Sequence, residues 1–382
     1  MRNDRIPMRI FFIAIFLSSC AVPVGTISIS PDPKEASATR TLVLPTDNTP
    51  ALDSDTPPPT ATETDTLAPT GIPLPSRQVT LDAGGDIMLA RTVGDQVQAH
   101  GPQIVFAGVQ SVFDSADVLV GNLECAITDS GDRQPKNFTF AAPLETAQAL
   151  ELAGFDVLSL ANNHSMDFGS QGLLDTRDNL GQYSIASVGA GANAADAHAP
   201  VILERNGLRL AFLAYVDVPV EKDGFDARTW IATASQPGIT WADPDQITAD
   251  VAAARLQSDI VIVQLHFGYE VGSYVPAISP NQRAEAHAAI DAGAALVLGS
   301  HPHILQSIEQ YHGGLIAYSL GNFVMDNYYG IANATIILRV VLTRAGVQSY
   351  DWIPVLIENG LPRLAAESEA PVIGTLVAPM NP

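Results

Sequence analysis

The stretch Ala294-Ala295-Leu296-Val297-Leu298-Gly299-Ser300-His301-Pro302-His303 decides how this chain reads. Its apolar run has the length of a buried strand, and Gly299-Ser300 ends that run just before two imidazoles. Open α/β sheets keep their ligand sites at the carboxyl ends of parallel strands, which is where His301 and His303 emerge. Proline fixes the backbone between the rings, and imidazole is a preferred ligand of Zn, Mn and Fe. A lone histidine after a strand is most often a satisfied polar residue, so a metal reading needs further donors.

Working outward, other strand-to-polar junctions supply them. Residues 78–83 alternate as a strand and run into Gly84-Gly85-Asp86, and residues 117–120 lead to Gly121-Asn122-Leu123-Glu124. Residues 156–160 lead to Ala161-Asn162-Asn163-His164, and the apolar run 259–265 ends at His266. Asp86, Glu124, Asn163, His164, His266, His301 and His303 are carboxylates, an amide and imidazoles, a donor set for Mn, Zn or Fe rather than for thiolate chemistry. Parallel strands of one polarity converge such residues on one edge.

Between the strands, residues 104–113, 144–153, 172–180, 247–256 and 280–292 carry helical apolar spacing. Residues 200–203 and 209–213 flank Asn206-Gly207, a hairpin signal. Residues 218–245, with Trp230 and Trp241, read as a Gly- and Pro-containing insertion beside a cleft, and residues 307–361 as short β segments. The expected class is α/β with mixed sheets rather than one purely parallel sheet.

The start of the chain reads as an address. Arg2, Arg5 and Arg9 form a basic start before an apolar stretch over residues 10–17, far short of the roughly 20 residues that span a bilayer. It ends in Leu17-Ser18-Ser19-Cys20, which resembles the lipobox of bacterial lipoproteins and makes Cys20 the lipid-bearing first residue of the mature chain. The alternative is an ordinary signal peptide with an incidental cysteine. Residues 21–76, rich in Pro, Thr, Ser and Asp, lack periodicity and read as a disordered tether. The expected organisation is a lipoprotein-type signal peptide over 1–20, a tether over 21–76, the main domain over 77–330 and a β-rich completion and tail over 331–382. The expected location is the extracytoplasmic face of a bacterial cell membrane. Cys125, the only other cysteine, reads as a small buried apolar residue. A net charge of −22 argues against nucleic acid as a partner.

Six motifs then carry a resemblance. Gly85-Asp86-Ile87-Met88-Leu89-Ala90-Arg91, Gly121-Asn122-Leu123-Glu124 and Ala161-Asn162-Asn163-His164-Ser165-Met166-Asp167 come first in order. His266-Phe267-Gly268-Tyr269-Glu270, Gly299-Ser300-His301-Pro302-His303 and Tyr318-Ser319-Leu320-Gly321-Asn322-Phe323 follow. In this order they closely resemble the capsule-synthesis CapA family, named for poly-γ-glutamate capsule production and related to calcineurin-like metallophosphoesterases. The resemblance implies a four-layer α/β/β/α metallophosphoesterase-like sandwich with mixed β-sheets, and one or two divalent ions (Mn, Zn or Fe). In metallophosphoesterases a carboxylate bridges two ions about 3.5–4 Å apart. Carried over, Asp86 and His303 serve the first ion, Glu124 bridges, and Asn163, His266 and His301 serve the second. His164 takes the catalytic place, protonating the leaving oxygen or stabilising its charge. The relatives' Asp-x-His is here Asp86-Ile87-Met88, with Met88 expected in the core, and Glu124 stands where phosphoesterases carry aspartate.

Outside that set, Asp167 and Glu270 either orient imidazoles or cap loops, and Arg91 either meets an anionic substrate or pairs with a carboxylate. Asn322 follows a strand and is a candidate to face the site. His100, His198, His287 and His312 lack strand-end placement and read as surface or capping residues. The resemblance implies a role in capsule or poly-γ-glutamate-type polymer biosynthesis, as a metal-dependent hydrolase of phosphoester or polymer amide bonds. Its expected partners are the membrane through Cys20, an anionic polymer or phosphoester substrate, and the capsule-synthesis machinery. The alternative is a non-catalytic capsule assembly or export factor that keeps a metal- or polymer-binding site.

Overall fold

A computed structural model of the chain describes residues 77–377 apart from 219, 222–223, 271–276 and 327–329. The signal peptide with Cys20 and the tether, read over residues 1–20 and 21–76, lie outside the described residues, as does the end of the tail. Along the chain come β1 (Gln78–Ile87), α1 (Arg91–His100), β2 (Val118–Leu123), α2 (Thr146–Ala153), β3 (Val157–Ser159), α3 (Gly169–Gln182) and β4 (Ala186–Val188). A second series follows: β5 (Val201–Arg205), β6 (Leu208–Asp217), α4 (Pro244–Arg255), β7 (Ile260–Phe267), α5 (Pro280–Asp291), β8 (Leu296–Ser300), β9 (Ile308–Tyr311) and β10 (Gly314–Ala317). The chain then returns through β11 (Asn322–Val324), β12 (Ala334–Thr343), β13 (Gly346–Glu358), β14 (Leu361–Leu364) and α6 (Ala370–Leu376).

Two mixed sheets result. The first runs β14-β13-β12-β1-β2-β3-β4 with β11 also on β1, and the second runs β9-β10-β8-β7-β6-β5. β1 to β4 are mutually parallel, as are β6, β7, β8 and β10, while the hairpin strands pair antiparallel. The β5–β6 hairpin turns at Asn206 (φ 51°) and Gly207 (φ 74°), the left-handed pair that an Asn-Gly turn supplies.

Period-two alternation stacks the layers. In β6, Leu208, Leu210, Phe212, Ala214 and Val216 face the core shared with the first sheet, while Ala211, Leu213 and Tyr215 face a second core under α4 and α5. Successive parallel strands β1 to β4 are joined through α1 to α3, and the right-handed rule for such crossovers puts these helices together on the remaining face of the first sheet. Their Val93, Val97, Leu150, Leu173 and Leu180 are buried there. The four layers are therefore α/β/β/α. Among the described residues, no helix is long and apolar enough to cross a membrane.

Local chemistry explains most element ends. Asp243 accepts from the backbone N–H groups of Asp245 and Gln246 with Pro244 at the first helical position, so α4 starts ahead of its first apolar residue. Ser279 and Gln282 close a capping box that starts α5. Residues 104–113, expected as one helix, are not: only Gln110–Phe113 is α-helical, after a 3-10 turn at Pro102–Ile104. Gly108 is drawn instead into a bridge with Arg363, its carbonyl accepting from Leu364 N at 3.2 Å, where the Pro362 carbonyl leaves no room for a Cβ. The apolar residues of that stretch feed an aromatic cluster of Phe106, Phe113, Phe155 and Phe323. The last β segments are also longer than expected, β12 and β13 forming one long hairpin beside β1.

One irregularity positions the site. Up to Ala83, β1 pairs antiparallel with β12; from Asp86 it pairs parallel with β11, and its register against β2 shifts at the same place. Gly84-Gly85 is where the strand changes partners. Asp86 N donates to Gly321 O at 2.9 Å, and a Cβ on Gly85 would collide with that carbonyl. Gly85→Ala is expected to cost about 1–3 kcal/mol through overpacking. Gly181→Ala, in the last turn of α3 where a Cβ meets open space, is expected to gain about 0.5–1 kcal/mol. Urea denaturation of the two variants checks this; equal midpoints would contradict the close approach at Gly85.

Candidate metal centre

Because the strands of both sheets run parallel where it matters, their carboxyl ends share one edge. Asp86 lies near the end of β1, Glu124 follows β2, Asn163 and His164 follow β3, His266 lies at the end of β7, and His301 and His303 follow β8. All seven are buried.

Asp86 anchors the arrangement. Its Oδ1 accepts from Asn122 Nδ2 at 2.8 Å and its Oδ2 from the His301 backbone N–H at 3.2 Å. The second bond helps hold an unfavourable backbone: His301 (φ 94°) and His303 (φ 59°) are both left-handed, at roughly 1–3 kcal/mol each for residues other than glycine. Asn322 completes the grip, its Oδ1 lying 2.8 Å from His303 Nδ1 and its Nδ2 donating to the carbonyls of His303 and Ala332. Asn322 thus faces the site.

Two donor groups share one carboxylate. Glu124 joins His266 and His301 on one side and Asp86 and His303 on the other, with candidate donor atoms of each group within 4.8 Å of one another. Glu124 Oε1 is 3.6 Å from His266 Nε2 and 3.9 Å from His303 Nε2. Asn163 Oδ1 stands 2.8 Å from His266 Nε2. Glu270 makes a third group with His301 and His303, 3.8 Å from the latter's Nε2, so it reaches the donors directly.

Both Glu124 oxygens and His301 Nδ1 are buried without a hydrogen-bond partner. An unsatisfied buried carboxylate is costly, and a cation is the partner that all these donors could take together. Carboxylate oxygens, an amide oxygen and imidazole nitrogens fit a divalent ion of the Mn, Zn or Fe type.

The electrostatics agree. Burial, reinforced by Asp86, pushes the Glu124 carboxyl well above the usual carboxylate range. Burial, helped by neighbouring imidazoles, pushes His266 well below its ordinary value and His301 down to about 4. For His303 burial also opposes the charge, but Glu124, Asp86 and Glu270 outweigh it and hold the ring up to about 10. His266 and His301 therefore offer lone pairs at neutral pH, while His303 keeps a proton among carboxylates.

His164 is placed differently. Its Nδ1 lies 2.8 Å from Asp167 Oδ2, which also accepts from Phe140 N at 2.7 Å, and its ring stacks on Phe140 at 4.3 Å. Asp167 orients an imidazole. Arg91 pairs with Asp326, whose other oxygen accepts from Thr92 N, and its guanidinium lies 4.7 Å over Phe140. The structure thus shows Arg91 in a carboxylate pair. Met88 is fully buried in the core, and Cys125 is buried with its sulfur accepting from Leu89 N at 3.4 Å and its thiol pushed up to about 12 by burial. His198, His287 and His312 pair with Asp250, Glu309 and Asp291 away from these groups.

Several contributors went unread in the sequence. Asn122 lies two residues before Glu124 in an extended segment, so period-two spacing could have found it. Asn162 donates to Asn122 Oδ1 (3.1 Å) and to Leu123 O (2.8 Å), and Ser300 Oγ lies 2.9 Å from His266 Nδ1. Lys136 and Glu221 carried no motif at all, although lysine is scarce here, with three in the chain.

Comparison with known proteins gives consistent matches. The family described as "Bacterial capsule synthesis protein PGA_cap" matches residues 80–327. The "Capsule biosynthesis protein CapA" of Bacillus anthracis is 35% identical over 296 residues, 75% of this chain and 70% of that protein. The "PGA biosynthesis protein CapA" of Bacillus subtilis (strain 168) is 33% identical over 283 residues, 73% of this chain and 71% of that protein. Among solved structures, a putative 5'-nucleotidase from Staphylococcus aureus aligns over 78% of this chain and 58% of its own, with 13% identity and a TM-score of 0.48.

The proton on His303 gives a pH prediction. A divalent ion that takes His303 as ligand must displace that proton, whereas His301, already neutral above about pH 5, releases none. Metal affinity is therefore expected to rise with pH, roughly tenfold per unit for one displaced proton, between pH 7 and 9. Calorimetric titration with Mn or Zn in buffers of different ionisation enthalpy reads the proton count. Binding without proton release would contradict the assignment.

Proposed function

The chain belongs to the bacterial capsule synthesis family PGA_cap, and on that basis we propose that it serves the making of a capsule polymer of the poly-γ-glutamate type. In this reading it is a metal-dependent hydrolase of phosphoester or polymer amide bonds, working outside the cytoplasmic membrane on a tether that begins at lipidated Cys20. The observation that carries the reading is the buried, unpartnered Glu124 carboxylate shared by two histidine–carboxylate groups. The names of the Bacillus relatives support the polymer assignment.

When bound, divalent ions would polarise a phosphoryl or carbonyl oxygen and acidify a water. Asp86, Glu124, Asn163, His266, His301 and His303 are the residues that would hold them. Asp167 engages Nδ1 of His164, which leaves Nε2 as the nitrogen able to hand a proton to a leaving oxygen. Stacking on Phe140 and burial keep that ring in one orientation. Arg91 pairs with Asp326 beside Phe140.

A second reading, a non-catalytic assembly or export factor holding polymer carboxylates at the same centre, is favoured by one feature. Met88 is buried in the core at the place where phosphoesterases carry a ligating imidazole.

The protein loaded with Mn or Zn is expected to hydrolyse a generic phosphodiester or a γ-glutamyl oligomer. His164→Gln should lower kcat by about 10²–10⁴ with metal content retained. Polymer binding without hydrolysis of either substrate would favour the second reading. Cys20→Ser is expected to release the protein from membranes, and a variant still membrane-bound would contradict the lipid anchor.

A further inference from the structure

Lys136 has a side chain with no exposed surface. A buried ammonium needs polar partners, and three surround it. Asp167 Oδ1 lies at 2.9 Å, Glu221 Oε1 at 2.6 Å, and the backbone carbonyl of Asn163 also accepts. The rings of Trp230 and Phe225 lie under the same nitrogen at 5.0 and 5.4 Å. Enclosed by two carboxylates and a carbonyl, Lys136 is not a cation held ready for a substrate. What it does is fix its three acceptors.

One of them is part of the candidate centre. Asn163 is held at its backbone by Lys136 and at its side chain by Glu221, whose Oε1 accepts from Asn163 Nδ2 at 3.4 Å. The two ends of an amide have nearly the same shape, so packing alone chooses poorly between them. A carboxylate does choose, because only the nitrogen can donate. With Nδ2 turned to Glu221, Oδ1 must face the other way, where it stands 2.8 Å from His266 Nε2. A flipped amide would present hydrogens, which no cation can use.

We propose that Glu221 and Lys136 are positioning residues of the centre, setting the Asn163 amide so that its oxygen is a ligand of the ion shared with Glu124, His266 and His301. The proposal rests on the metal-centre reading. It gives a role to the segment after β6, since Glu221, Phe225 and Trp230 all come from it. Its described residues Glu221, Phe225 and Trp230 lie beside Lys136, in keeping with an insertion beside a cleft.

Glu221 is the better residue to test, because its side chain keeps 13% exposure whereas that of Lys136 has none and its removal would take a cation from beside the buried Asp167. Affinity for Mn or Zn is measured on the full chain by chelator competition, with unfolding midpoints checked alongside. Glu221→Ala is expected to weaken one class of bound ion by about 10–100-fold. Glu221→Gln, which keeps an acceptor oxygen, should stay within about threefold of the parent. Since Glu221 acts through Asn163, adding Glu221→Ala to Asn163→Ala should cost no further affinity. Full additivity of the two, or an unchanged affinity in Glu221→Ala, overturns the proposal. If the parent protein binds no divalent ion, the metal-centre reading falls with it. If Asn163→Ala weakens binding and Glu221→Ala does not, the positioning proposal falls alone.

Discussion

A carboxylate with no hydrogen-bond donor sits where two sheets end, and the rest of the site is arranged around it. Glu124 is buried with both oxygens unpartnered, facing imidazoles from the second sheet and Asp86 from the first. Leaving a buried charge unpaired typically costs several kcal/mol, a cost that a bound cation would remove. Its carboxyl is accordingly pushed well above the usual range, and a proton is held at His303 close by. The elements that create this environment are structural ones: parallel strands of one polarity in each sheet, and helices that cover both outer faces.

Positioning a strained loop against that carboxylate takes specific contacts. His301 and His303 both adopt left-handed backbone around Pro302, a local cost of roughly 1–3 kcal/mol each. Hydrogen bonds to charged groups contribute about 1.5–3 kcal/mol, so the bond from His301 N to Asp86 is of the size needed to hold one of them. Asn322 grips His303 at its ring and at its carbonyl. Asp86 can serve both sheets because β1 changes partners at Gly84-Gly85, where the strand bends out of register. Fold, strain and donor set are one arrangement: shifting β1 would release the backbone that aims the histidines.

How much of this could be read from the chain follows from the range of each interaction. The strand ends were legible because a buried parallel strand is a continuous apolar run, and the polar residue that ends it marks the edge. Asp86, Glu124, Asn163, His266, His301 and His303 all announce themselves in that way. The hairpin at Asn206-Gly207 and the caps at Ser279 and Asp243 were local chemistry. Residues 104–113 misled because helical apolar spacing there serves an aromatic cluster, while Gly108 is held by a partner some 250 residues away in sequence. Lys136 and Glu221 were invisible for the same reason: one lies in a loop after β2 and the other after β6, and only the folded chain brings them to Asn163. Arg91 could not be assigned between its two readings until Asp326 was found beside it.

The central claim is that Glu124 is shared by bound divalent ions. The most direct measurement is an anomalous difference map, collected at the absorption edge of the metal, from crystals of protein purified without chelator. Peaks about 2.0–2.3 Å from the oxygens of Glu124, one towards His266 and His301 and one towards Asp86 and His303, are the expected result. A map without a peak, with a protonated Glu124 closed into a hydrogen bond with a neighbouring imidazole, would contradict the account.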